Sequence, residues 1–250
     1  MIFRTNKYYL LILLAAFIVG GCGNSSGNYE EIESSASSES TTTTTTSSDS
    51  NASFVAVGIS GTIVRSTDNG SSFSTVTSPT SNDLLGFGFG NNTFVGVGYT
   101  GTIVRSTDNG SSFSTVTPPT SNRLYGIGFG NNTFVALGTS ETIVRSTDNG
   151  SSFSTVTSPT SNDLLGVGFG NNTFVGVGDS GTIVRSTDNG SSFSTVSQTS
   201  NTLDGVVFGN NTFVAVGRYG TIVRSTDNGS SFSSVTSPTS NRIYAVAFSE

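Results

Sequence analysis

From residue 53 onward the chain alternates short apolar runs with small polar spacers. Phe54-Val55-Ala56-Val57, Ile63-Val64, Leu84 to Phe89, Phe94 to Val97 and Ile103-Val104 are each too short for a helix and are bounded by Gly, Asn, Ser or Thr. Runs of this length and punctuation predict β-strands. Within one unit, Asp83 to Asn122, they predict four strands: Leu84 to Phe89, Thr93 to Gly98, Thr102 to Thr107 and Phe113 to Thr117. Apolar residues occupy both pleat faces, Leu84 beside Leu85 and Ile103 beside Val104, so each sheet needs cover on two sides. Gly90-Asn91-Asn92 and Asp108-Asn109-Gly110 supply hairpin chemistry, because Gly and Asn accept positive φ at little cost.

The unit recurs. Ser-Thr-Asp-Asn-Gly-Ser-Ser-Phe begins at Ser66, Ser106, Ser146, Ser186 and Ser225, a period of 40 residues and finally 39. A β-rich period of this size marks sheets that bury their faces against one another. The expected fold is all-β, a β-propeller of five four-stranded blades. A two-sheet sandwich would leave five near-identical units in unlike environments. The sequence opens on second-strand residues, Ser53 to Gly58, and finishes on first-strand residues, Ile243 to Phe248, so the last strand is expected to close the first blade. An open arc or a dimer is the alternative.

Ser66, Asp68, Gly70 and Phe73, with the matching residues at Asp108, Asp148, Asp188 and Asp227, resemble the Asp-box, or bacterial neuraminidase repeat. The surrounding Val-Gly, Gly-Thr-Ile pattern is similar to the propeller repeats of photosystem II assembly and stability factors, over about 200 residues. The resemblance implies a structural hairpin on the outer part of each blade, with the Asp accepting hydrogen bonds from turn amides and the Phe, here in place of the commoner Trp, plugging the blade. It does not imply sialidase activity. That chemistry resembles three converging arginines, a Tyr/Glu pair and an acid/base Asp from different blades. Here Arg65, Arg105, Arg145, Arg185 and Arg224 share one repeat position, directly before each octapeptide, which predicts a structural ring beside the turn carboxylates. No catalytic residue is assigned. A glycoside hydrolase working through paired carboxylates remains the alternative from the enzyme class.

Composition narrows the partners. The chain holds 31 Gly and 18 Phe but no His, no Trp and one Cys, with a formal charge of −6. An acidic chain gives a phosphate backbone little to bind, so no nucleic acid is expected. The usual nitrogen and sulfur ligand sets for metals are missing, and one carboxylate per octapeptide falls short of what calcium prefers; no metal and no cofactor are expected. Residues 1–22 read as an export signal, with Arg4 and Lys7 ahead of the apolar run Leu10 to Val19. Its end, Val19-Gly20-Gly21-Cys22, resembles a bacterial lipobox, which implies lipidation at Cys22 and anchoring to a bacterial membrane, the outer one or the cell surface. An ordinary signal peptide is the alternative. Residues 23–51, rich in Ser, Thr and Glu, are expected to be a disordered tether, and residues 52–250 the propeller.

Repeats this alike expose their own differences. One variable set opens the first strand: Asp83, Arg123, Asp163, Thr202 and Arg242, then two residues on Leu85, Tyr125, Leu165, Asp204 and Tyr244. The other fills the turn between strands two and three, and contributes Tyr99, Glu141, Asp179, Arg218 and Tyr219. In a four-stranded meander these two sites share one face, and the unvarying turns share the other. Tyrosines 99, 125, 219 and 244 and arginines 123, 218 and 242 are preferred anchors of recognition surfaces. The expected function is a non-catalytic binding or assembly module for a protein or glycan, touching the membrane only through its anchor. Neutral drift in exposed loops of a structural surface protein would leave the same variation.

Overall fold

The computed structural model describes residues 53–196 and 199–249; the leader, Cys22 and the tether region lie outside the described residues. Five antiparallel sheets follow one another along the chain. Blade one holds β1 (Phe54–Val57), β2 (Ile63–Ser66) and β3 (Ser74–Thr75). Blade two holds β4 (Leu84–Gly90), β5 (Thr93–Gly98), β6 (Ile103–Ser106) and β7 (Ser114–Val116). The same four strands recur as β8 (Leu124–Gly130), β9 (Thr133–Gly138), β10 (Ile143–Ser146) and β11 (Ser154–Val156) in blade three, and as β12 (Leu164–Gly170), β13 (Thr173–Gly178), β14 (Ile183–Ser186) and β15 (Ser194–Val196) in blade four. Blade five is β16 (Leu203–Gly209), β17 (Thr212–Gly217), β18 (Ile222–Ser225) and β19 (Ser233–Val235). The first strands β4, β8, β12 and β16 pack against one another in succession. This is a five-bladed β-propeller.

The hairpins form as their residues dictate. Asn91 and Asn92 both take positive φ, 48° and 54°, which fits a two-residue connection to the twist of its strands. In the octapeptide turn the Ser66 hydroxyl donates to Asp68 Oδ1 at 2.6 Å, and the Ser72 amide and hydroxyl donate to the same carboxylate. The Gly70 amide donates to Ser66 Oγ at 2.9 Å. All five copies repeat this network.

The core lies between blades rather than within them. One cluster joins Val95, Val97 and Ile103 of blade two to Phe134, Ala136, Val144 and Phe153 of blade three. Equivalent clusters fill the other three junctions. The octapeptide Phe therefore plugs the gap to the preceding blade, as Phe113 does against Val55 and Ile63. The repeated arginines also cross the junction. They do not sit on the turn carboxylates as expected: Arg65 Nε donates to the Asn109 backbone carbonyl of the next blade at 2.8 Å, and Arg105, Arg145 and Arg185 do the same to Asn149, Asn189 and Asn228. Three donors from two serines already satisfy each carboxylate, while the turn carbonyl needs one.

Closure of the first blade by the last strand is not formed. Blade one has three hydrogen-bonded strands, and residues 243–249 pair with none of them. They lie along β16 instead, with Ile243 N donating to Gly217 O at 2.9 Å.

The turn carboxylates set the acid limit of the fold. The Ser66 hydroxyl, then the Ser72 hydroxyl and amide, hold Asp68 down to about 2. Ser112 and Ser231 lead the same effect on Asp108 and Asp227, also about 2. In Asp148 and Asp188 burial is the largest influence and pushes upward, yet the serine donors still hold both at about 2. Carboxylates depressed in the folded state stabilise it fully above their unfolded value, near 4, and lose that contribution as pH falls through about 2. The melting temperature is expected to hold between pH 7 and pH 5 and to fall steeply between about pH 4 and pH 2. A calorimetric pH series with its main loss centred above pH 5 would contradict this.

Candidate functional site

The variable positions do come together on one rim. Each turn between the second and third strands lies against the first strand of the following blade, so a residue of one turn meets the opening residue of the next repeat. The unvarying turns share the other face, where Asn189 Nδ2 reaches the Asn131 carbonyl at 3.3 Å.

On the variable rim the blade two turn and the blade three first strand form a stack. The Arg123 guanidinium lies 3.8 Å from the centre of the Tyr99 ring and 5.6 Å from that of Tyr125. Its Nη1 donates to the Tyr125 hydroxyl at 3.2 Å. The planar cation is thus held by aromatic contact, with its remaining N–H groups available to an acceptor. A second cluster lies at blade five. Arg242 Nε donates to Asp204 Oδ2 at 2.8 Å, Nη2 pairs with Oδ1, and the guanidinium lies 4.6 Å from the Tyr244 ring centre. The Asp204 side chain is only 8% exposed, so the oddest residue of its repeat position is a nearly buried carboxylate satisfied by a two-pronged arginine.

Other carboxylates are engaged by the fold. Asp83 accepts the Ser60 amide at 2.7 Å and Asp163 the Ser140 amide at 2.8 Å, while Asp179 accepts the Thr202 hydroxyl at 3.1 Å. In each case a turn residue of one blade is fastened to the opening residue of the next. Among the described residues neither Arg218 nor Tyr219 joins the ring and ion-pair contacts of the two clusters, although Gly217, the residue before them, accepts from Ile243 N beside Arg242. Tyr219 is exposed beside a groove of about 810 Å³ that also involves Asn201, Phe232 and Thr239. Glu141 is exposed too and holds φ at 59°, where the other four turns use Gly at 65° to 71°. A side chain in that region is strained, yet the turn keeps the backbone bonds of the other four, with Thr142 N donating to Thr139 O at 3.1 Å.

One feature of the rim was not legible in the repeats. A register shift separates Leu84 from Gly86, and the same shift recurs around Tyr125, Leu165 and Asp204. The second variable position is therefore the unpaired residue of a β-bulge in each of these blades. Bulges re-aim a side chain away from the ladder and recur beside functional sites.

No protein-family model matches the chain, and no curated protein matches it by sequence. Its likeness is to solved structures. It is similar to YCF48 in complex with a D1 peptide, with a TM-score of 0.59 at 18% identity over 76% of this chain and 64% of that one. It is similar also to U3-55K, with a TM-score of 0.63 at 10% identity over 76% and 65%. Its neighbours share the propeller fold. This chain spans slightly less than two thirds of either neighbour's length.

Proposed function

We propose that the chain is an exported, lipid-anchored propeller that binds a peptide or protein, without catalysis, through the variable rim. The observation that carries this reading is the stack of Tyr99, Arg123 and Tyr125, drawn from two blades onto one surface. Two aromatic rings hold a guanidinium whose spare donors suit a backbone carbonyl or a carboxylate of an incoming chain. The bulged position presenting Tyr125 is the place in the repeat most free to vary without breaking the ladder. The D1 peptide held by YCF48, a structural neighbour, supports a peptide over a glycan as the ligand class. Cys22, following a lipobox-like sequence, would tether the propeller to the membrane.

The test is capture from native envelope material by the full chain, beside a variant carrying Tyr99→Ala, Arg123→Ala and Tyr125→Ala. Loss of central anchors of this type is expected to weaken retention of a partner by at least about 30-fold, with the melting temperature held. Equal retention would refute the rim. In the same cells Cys22→Ser is expected to move the chain out of the detergent-soluble membrane fraction, and unchanged partitioning would refute the anchor.

A further inference from the structure

The junction between blades is one interface used four times. Its trailing side, in blade two, is Val95, Val97, Ile103 and Val116; its leading side, in blade three, is Phe134, Ala136, Val144 and Phe153. Polar fasteners repeat with it. The arginine bonds to the next turn's carbonyl fall at 2.7 to 2.8 Å in all four junctions. The turn Asn of the next blade donates to the threonine that opens the second strand, Asn149 to Thr93, Asn189 to Thr133 and Asn228 to Thr173, at 2.6 to 2.7 Å.

The structure carries both halves of a fifth such junction, unjoined. Among the described residues nothing covers the leading side of blade one: Phe54 is 43% exposed where Phe134 is 0%, and Phe73 is 52% exposed where Phe153 is 9%. Blade five presents the matching trailing side. Val235 is 41% exposed where Val116 is 9%, and Arg224 is exposed, its guanidinium lacking, among the described residues, the carbonyl that its four counterparts hold.

We infer that the trailing side of blade five docks on the leading side of blade one of a second copy of this chain, head to tail. Arg224 then donates to the partner copy's Asn69 carbonyl, Thr212 accepts from the same Asn, and Phe54 and Phe73 enter the core with Val214, Ile222 and Val235. Residues 243–248 are already seated for the join. Ile243 N binds Gly217 O at 2.9 Å as Leu84 N binds Gly58 O at 3.0 Å, and Phe248 covers Gly209 as Phe129 covers Gly90. That segment occupies the place of a first strand and lacks only β1 of the next copy beside it.

A copy of this chain is the occupant because the surface is matched four times within the chain by the same side chains at the same distances. The chain's own two halves do not meet: among the described residues, no backbone hydrogen bond joins 243–249 to β1. A second copy repeats the junction as it stands, with the same arginine-to-carbonyl bond that the four internal junctions hold. The contact is heterologous, so it closes a ring or continues as a filament.

Sedimentation of the purified full chain over a concentration series tests this. The expected result is a species of two or more copies that dissociates on dilution. Arg224→Glu spoils only the trailing side and Phe73→Asp only the leading side, both at exposed positions, and each is expected to shift dissociation to at least tenfold higher concentration with an unchanged circular dichroism spectrum. An equimolar mixture of the two variants retains one intact junction and is expected to recover a two-copy species and nothing larger. A mass of one copy throughout overturns the proposal, as does association that survives both substitutions or a mixture that recovers nothing.

Discussion

Phe174→Ala is expected to destabilise the propeller by about 3–5 kcal/mol, whereas Phe54→Ala, the same change at the same place in the repeat, costs under about 1 kcal/mol in a dilute single copy. Phe174 is fully buried among Val135, Leu137, Leu164 and Val184, with the Phe169 ring 4.6 Å away. Truncating it removes the transfer energy of the ring and leaves a cavity that two rigid sheets cannot collapse around. Phe54 sits in a similar local sequence, Ser-Phe-Val-Ala-Val against Thr-Phe-Val-Gly-Val, but among the described residues no blade lies against it, and it is 43% exposed. The pair isolates the junction from the intrinsic preference of the strand. Urea unfolding of both variants provides the check, read blade by blade if the transition splits, since stability in stacked repeats is a sum over units and their interfaces. Equal losses would mean that the energy resides inside the blade.

Most of a blade was legible because turn chemistry punctuates it. The strands read for Asp83 to Asn122 fall within a residue or so of β4 to β7, since Asn-Asn and Asp-Asn-Gly permit chain reversal almost nowhere else in the unit. The neighbourhood of Arg242 and Asp204 was half legible. Asp204 stood out against Leu and Tyr at its position, and Arg242 lies about one period further on, so a propeller brings the two side by side. The bulges were not legible, because a single unpaired residue leaves the apolar pattern on either side intact. The arginine partners were missed for a related reason. Charge suggests a carboxylate, but the serines of the octapeptide had saturated it, and the free acceptor was a backbone carbonyl that no side-chain pattern reports. The unjoined fifth junction is geometry accumulated over four interfaces, which no single repeat encodes.

Gly130→Val is expected to cost about 3 kcal/mol, and Phe169→Ala introduced with it is expected to return part of that loss. Gly130 ends the first strand of blade three in contact with the next blade, and a Cβ built there would lie 2.1 Å from the Phe169 ring. The glycine has no positive φ, so the backbone accepts valine and only space is at issue. Phe169 cannot simply step aside, because its ring is packed on Phe174 in the core of the junction. Overpacking therefore spreads from the strand end into the cluster that Phe174→Ala would empty. Phe169→Ala clears the space and loses its own burial, so a double-mutant cycle on unfolding free energies should show a favourable coupling of about 1–3 kcal/mol. Gly209→Val poses the same clash against Phe248, whose ring is half exposed on a segment that no β1 strand holds, so that ring can move into solvent. The smaller loss expected there separates a junction closed on both sides from one still waiting for its partner; identical losses at 130 and 209 would show that the last segment is held as firmly as any blade.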